Sequence, residues 1–175
     1  GGNVGVGTTT PSSTLVVDGT LLTSSPIEIE TSYDGTVTGS IGGSTISYLA
    51  MGFQTDSSYT MSAVELNIKR GGSVGNVTVS IRAVSAFAPT GADLISTTID
   101  GDSLISTSFD WVNIPLGPLT LSAGPQYAIV IQEAGASFLQ WQGAGTGYTC
   151  CFSSVSLDGG SSWNLQSLDL LFKVF

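Results

Sequence analysis

Histidine is missing from all 175 residues. Its absence excludes a Ser-His-Asp triad, a Cys-His pair and every histidine-based zinc site. No Gly-x-x-x-x-Gly-Lys run is present to cradle a phosphate. Positive charge is nearly as scarce: 4 Lys and Arg stand against 13 Asp and Glu, for a net charge of −9. Phosphate binding needs clustered cations, and only Lys69-Arg70 sit together, beside a Gly71-Gly72 turn, so nucleic acid is not an expected partner. No apolar run approaches the ~20 residues of a membrane-spanning helix, and no amphipathic segment of helical length occurs. Two cysteines are present, Cys150 and Cys151, and they are adjacent.

That adjacency leaves several states open. A disulfide normally needs Cα atoms at least ~4.4 Å apart, whereas neighbours across a trans peptide sit ~3.8 Å apart. On a strand, adjacent side chains also face opposite ways. Free, partly buried thiols are therefore the first reading, with an intermolecular bridge or a strained vicinal bond as alternatives.

What fills the space is serine, threonine and glycine. Charged residues reach only 10% while hydrophobic residues make up 41%, against roughly 25% charged in an ordinary soluble domain. This balance suits an exported β-protein, a filament or a virion surface protein, and an extracellular or surface location is expected. The chain opens at Gly1 without the basic and apolar regions of a secretion signal, which suggests a processed protein or a fragment of a longer one. An acidic surface leaves room for divalent cations or serves solubility.

From Thr45 onward short strands alternate with turn residues. Val64-Glu65-Leu66-Asn67-Ile68-Lys69 and Val77-Thr78-Val79-Ser80-Ile81-Arg82 each place apolar residues on one face. Tyr127 to Ile131 is apolar throughout and predicts a central strand covered on both faces. Pro89-Thr90-Gly91 and Pro115 to Pro118 read as breaks, Asp100-Gly101-Asp102 as a turn, and Asp158-Gly159-Gly160 as a hairpin turn. Leu168, Leu170, Phe172 and Val174 face one way along a last strand. Eight or more such strands predict an all-β fold, an antiparallel β-sandwich of jelly-roll type, over residues 32–175.

Residues 1–31 read differently, as an extended arm that includes an edge-strand alternation at Ile27-Glu28-Ile29-Glu30. Val4, Val6, Leu15, Val16, Val17, Leu21 and Leu22 are too few to close a core, so another surface must cover them. Either the chain's own domain or a neighbouring chain supplies it. A strand of this kind can add to a neighbour's open sheet edge, and repetition of that contact builds a filament unless the rotation closes.

Asn3-Val4-Gly5-Val6-Gly7-Thr8-Thr9-Thr10-Pro11-Ser12, followed by Leu15-Val16-Val17-Asp18-Gly19-Thr20, resembles the fibre repeat N-V-G-I-G-T-x-x-P-x-x-x-L-x-V-x-G of phage tail-fibre and large bacterial surface proteins. The stretch from about Tyr48 to Phe175 is similar to a choice-of-anchor β-sandwich module of secreted, surface-anchored and phage structural proteins. Val64-Glu65-Leu66, Gly75 to Ile81, Pro89-Thr90-Gly91, Trp111-Val112, Leu121 to Val130, Leu139-Gln140-Trp141 and Asp158 to Trp163 carry that likeness. The two resemblances imply a β-sandwich in an extracellular or virion setting and assign no activity.

Three constellations remain as candidate chemistry. Trp141, Tyr148 and Trp163 surround a Gly-rich loop and the last hairpin, where exposed rings would stack on a sugar; core packing is the competing reading. Asp100 and Asp102 place two carboxylates at alternate loop positions, the candidate calcium site, against an ordinary Asp-Gly turn. Glu65 and Glu133 are the carboxylates for a glycosidase pair, while Trp111 reads as core. No other cofactor is implied and no enzymatic activity is expected. The expected function is a structural subunit of a filament or virion fibre, self-associating through its arm. The alternative is an adhesive head that binds a cell-surface glycan or receptor.

Overall fold

The computed structural model describes residues 4–6, 15–17, 29, 31–133, 138–145, 147–148 and 150–175, the first two segments as backbone alone. β1 (Val4–Val6) and β2 (Leu15–Val17) pair in parallel, Val4 opposite Leu15 and Val6 opposite Val17, as a two-stranded sheet. Leu21 and Leu22 lie outside the described residues, as do three of the four residues at 27–30. Ile29 is exposed and in no strand.

The remaining strands are β3 (Thr31–Tyr33), β4 (Val37–Gly42), β5 (Tyr48–Gln54), β6 (Tyr59–Arg70), β7 (Asn76–Ser85) and β8 (Ala88–Asp100). A single turn of helix, α1 (Gly101–Leu104), leads to β9 (Asp110–Leu121) and β10 (Gln126–Glu133). β11 (Leu139–Ala144), β12 (Ser153–Ser156), β13 (Asn164–Leu165), β14 (Asp169–Leu170) and β15 (Phe172–Val174) complete the chain.

Six strands form one sheet in the order β13-β12-β5-β10-β7-β8. The second sheet is built on β6, which pairs with β9 along one edge and with β15 and β11 along the other, with β3, β4 and β14 beyond them. All of these pairings are antiparallel. Period-2 alternation supplies the core between the sheets. Met51, Phe53, Val79, Ile81, Ile129 and Ile131 come from one sheet, and Leu66, Ile68, Ile114, Trp141 and Phe172 from the other. β10 lies between β5 and β7, and its Ala128 to Ile131 are buried on both faces, as its unbroken apolar run predicts.

Neither proline-rich stretch ends a strand. In the β7–β8 ladder Ile81 faces Ile95 and Ala83 faces Thr90, so four residues, Gly91 to Leu94, stand opposite Arg82 alone. Gly91 turns within this bulge at φ 71°. In the β6–β9 ladder Met61 faces Leu119 and Ala63 faces Pro115, so Leu116 to Pro118 bulge opposite Ser62. A Cβ on Gly117 would lie 2.5 Å from the Met61 carbonyl oxygen, so only glycine fits there. Bulges on edge strands accommodate residues that cannot donate to a regular ladder.

Cys150 and Cys151 are joined as a vicinal disulfide, against the expectation of free thiols. The pair sits in the connection between β11 and β12 and not on a strand, so the alternation that would aim the side chains apart does not apply.

Candidate functional site

The outer face of the six-stranded sheet is not a plain solvent face. Ala50 on β5 and Ala128 and Val130 on β10 form a second small core under Phe152, with Tyr48, Val84 and Trp163 packed around it. Small residues there let a large ring lie flat. A Cβ on Gly52 would come within 2.8 Å of the Phe152 ring, so glycine is what lets that ring approach β5.

The loop between β12 and β13 folds across this face and delivers Trp163. Asp158 organises it: Ser156 Oγ and Ser162 N donate to Oδ1 at 2.8 and 2.9 Å, and Ser162 Oγ donates to Oδ2 at 2.6 Å. These bonds, those from Ser162 foremost, push the Asp158 carboxyl down to about 2, because they favour its ionised form. Gly159 and Gly160 take φ 72° and 87° to close the turn. Trp163 then meets Tyr48 edge-on, with centroids 6.2 Å apart.

Arg82 reaches the same place from β7. Its guanidinium lies 5.9 Å from the Tyr48 ring centre, and its Nε donates to Asp93 Oδ1 at 2.6 Å. Asp93 belongs to the β8 bulge, so the register shift is what brings this carboxylate over Arg82. Both side chains keep partial exposure, 19% and 32%. Around them opens a groove of about 450 Å³ lined by Arg82, Pro89, Thr90, Ser161, Ser162 and Trp163. Its lining brings an aromatic ring, the Arg82 guanidinium and several hydroxyls into one hollow, and Asp93, outside that lining, holds the guanidinium in place.

A second hollow of about 490 Å³ is lined by Phe87, Tyr148, Cys151, Phe152, Leu165 and Gln166, among others. Phe87 and Ala86 form the two-residue loop between β7 and β8, at φ 60° and 51°. Such loops favour positive φ at both positions, but non-glycine residues occupy that region at a cost of roughly 1–2 kcal/mol each. The loop leaves Phe87 58% exposed, edge-on to Phe152 at 6.4 Å. Leu165, at 60% exposure, forms another lip. At the base, Asp169 Oδ2 accepts from Gly147 N and Tyr148 N, both at 2.8 Å. Tyr148 also packs edge-on to Phe172 at 5.6 Å, and burial raises its phenol pKa above the ordinary value. A third, polar hollow of about 340 Å³, with Asp56, Gln54 and Tyr59 in its wall, shares Tyr148 with the second and is bordered by Cys150.

The three aromatic residues expected to form one platform are separated. Trp141 is fully buried in the inter-sheet core, with its indole N–H donating to the Leu171 carbonyl at 2.8 Å. No ring face is open to a sugar, so Trp141 is corrected from platform to core. Tyr148 borders the second and third hollows and Trp163 the first. Trp111 departs in the opposite sense: it is only half-buried, on β9, with Lys173 Nζ 4.1 Å from its ring centre.

The acidic candidates are occupied. Asp100 caps α1, accepting from Asp102 N at 3.1 Å and Ser103 Oγ at 2.7 Å. Asp102 accepts from Ser73 Oγ at 2.5 Å and Val74 N at 2.8 Å. Hydrogen bonds from Ser103 and from Ser73 respectively lower their pKa values. Among the described residues no group of three or more Cys, Asp or Glu is placed to hold a metal ion. Glu65 on β6 pairs with Lys173 at 3.1 Å. Glu133, on the other sheet, accepts from Leu139 N at 3.0 Å and is pushed up to about 7 by burial.

Arg82, Asp93 and Phe87 were not legible as site residues. Alternation marks Arg82 as outward-facing, but no local signal in the sequence places the bulge that carries Asp93. The Ser85 to Ala88 turn has no glycine to announce it.

No family model matches the chain, and no curated protein matches it. Among solved structures it is similar to that of the cysteine protease and lectin-like domains of Cwp84, a surface layer associated protein of Clostridium difficile, at 17% identity and a TM-score of 0.49. The match covers 75% of this chain and 32% of that one.

Proposed function

We propose that this chain is a non-enzymatic, surface-displayed carbohydrate-binding β-sandwich, with the Arg82–Trp163 groove as its binding site. The observation that carries the reading is the half-buried Trp163, held beside the Arg82–Asp93 pair in an open groove. A sugar presents one apolar C–H face and a rim of hydroxyls. An indole matches the first, and the planar donor fork of Arg82, held in place by Asp93, matches the second. The Asp158 hydrogen bonds hold the loop before binding, which lowers the entropy that binding must overcome. Low charge and a disulfide fit an oxidising extracellular setting.

The test is glycan-array screening followed by calorimetry on the best ligand. Trp163→Ala is expected to weaken binding at least tenfold while the domain stays folded. Absence of binding by the intact chain, or undiminished affinity in the variant, refutes the site.

A second reading, a fibre subunit that assembles through its arm, draws on β1 and β2. Among the described residues they form a sheet of two strands, and such a pair is at best marginally stable in water without cover. β8, 13 residues long and last in its sheet, offers an edge for strand addition. If this reading holds, deletion of residues 1–22 leaves a folded monomer that no longer assembles. Identical multimers before and after deletion refute it.

A further inference from the structure

The apolar hollow shares no lining residue with that sugar groove, yet neighbouring residues of the same two segments line both. Both abut the tip of the β7–β8 hairpin, Phe87 lining one and Ala88 the other. Both also abut the segment after Asp158, through Trp163 in the groove and Leu165 in the hollow. We infer that they are adjoining subsites for one ligand, a neutral glycoside carrying an apolar ring or alkyl substituent. The inference rests on the carbohydrate-binding reading and extends it to the chemical class of the ligand.

Three observations select that class. First, the hollow presents apolar lips, Phe87 and Leu165, at 58% and 60% exposure, with Phe152 and the Cys151 end of the disulfide between them. Its volume of about 490 Å³ lies within the ordinary range for ligand pockets, roughly 300–1,000 Å³. Second, the one carboxylate that lines it among the described residues, Asp169, already accepts the Gly147 and Tyr148 N–H groups and does not call for a cation. Third, the groove has no spare positive charge: Arg82 is paired with Asp93, Asp158 stays ionised nearby, and the chain carries a net −9. An anionic sugar would enter against that field. A neutral sugar lying on Trp163 would direct its substituent past the hairpin tip into the hollow. The positive-φ pair Ala86-Phe87 acquires a purpose in this arrangement, since it holds Phe87 out at the lip.

The experiment uses the full chain and paired methyl and phenyl glycosides of glucose, galactose, mannose and N-acetylglucosamine, titrated calorimetrically. For the sugar that binds, the phenyl glycoside is expected to bind at least tenfold tighter than the methyl glycoside. Leu165→Ser and Phe87→Ser, both at exposed positions, are each expected to reduce the phenyl-to-methyl ratio towards one. A ratio near one in the intact protein, with methyl-glycoside binding still lost in Trp163→Ala, overturns the second subsite and leaves the sugar groove standing. A phenyl gain that survives both substitutions also overturns it, because the ring is then held elsewhere. Failure of every glycoside to bind removes both readings.

Discussion

Asp169 is the residue whose loss most directly tests how this end of the sandwich is held. It lies in β14 at 6% exposure, and its Oδ2 alone receives the N–H groups of Gly147 and Tyr148 at 2.8 Å each. Hydrogen bonds to a charged acceptor contribute about 1.5–3 kcal/mol each. Gly147 is exposed, so water takes over its N–H when the carboxylate goes; Tyr148 is half-buried and recovers less. Asp169→Ala is therefore expected to cost about 2–4 kcal/mol. Asp169→Asn is expected to cost only about 1 kcal/mol, because a carboxamide oxygen in the place of Oδ2 keeps both bonds and gives up the charge. Urea unfolding measures both as shifts in midpoint at unchanged slope, and amide exchange at residues 147 and 148 should quicken in the alanine variant. An Asp169→Ala protein within about 0.5 kcal/mol of the parent, or an asparagine variant less stable than the alanine one, would refute the reasoning. The outcome bears on function because Tyr148 borders two of the three hollows.

Two further predictions concern the core and a half-buried carboxyl. Trp141→Ala is expected to lose about 3–5 kcal/mol as a large buried ring, and Trp141→Phe less, about 1–2 kcal/mol, for lost volume and the lost indole hydrogen bond to the Leu171 carbonyl, which keeps the Asn67 N–H at 3.3 Å; neither the phenylalanine variant's fold nor its sugar binding should change, which chemical denaturation and calorimetry check together. Glu133 has a folded pKa raised from 4.5 to about 7, so the native state binds the extra proton between those values. Its stabilising effect is full below about pH 4.5 and fades as pH rises through 7. Comparing urea midpoints at pH 5 and pH 8, Glu133→Gln should gain on the parent at the higher pH; parallel behaviour of the two proteins would show that Glu133 is not desolvated.

The strands around which the sandwich closes were readable because alternation is a local property. Val64 to Lys69 and Val77 to Arg82 expose their inward faces in the residue order itself, and the unbroken run at Tyr127 to Ile131 announces a strand covered twice. Proline misled for a physical reason. Pro89 and Pro115 look like stops, but on edge strands a missing N–H costs little and a bulge absorbs the rest. The cysteine pair misled because its short Cα spacing and strand alternation both disfavour a bond, whereas Cys150 and Cys151 lie in a connection, where no alternation aims the side chains apart.

Aromatic residues show the same division more sharply. In the one-dimensional chain Trp111, Trp141 and Trp163 are alike, each following strand-forming or turn residues. The chain by itself determined an acidic, histidine-free, all-β protein, because composition and period-2 patterning need no long-range information. Only the tertiary structure decided that Trp141 faces the opposite sheet, that Trp111 lies under Lys173, and that Trp163 joins Arg82, itself paired with Asp93, at an open groove. Those outcomes depend on strand order, on which side of a sheet a loop crosses, and on a four-residue bulge opposite Arg82. Each of these arises from contacts between residues far apart in the chain, where no local pattern reaches.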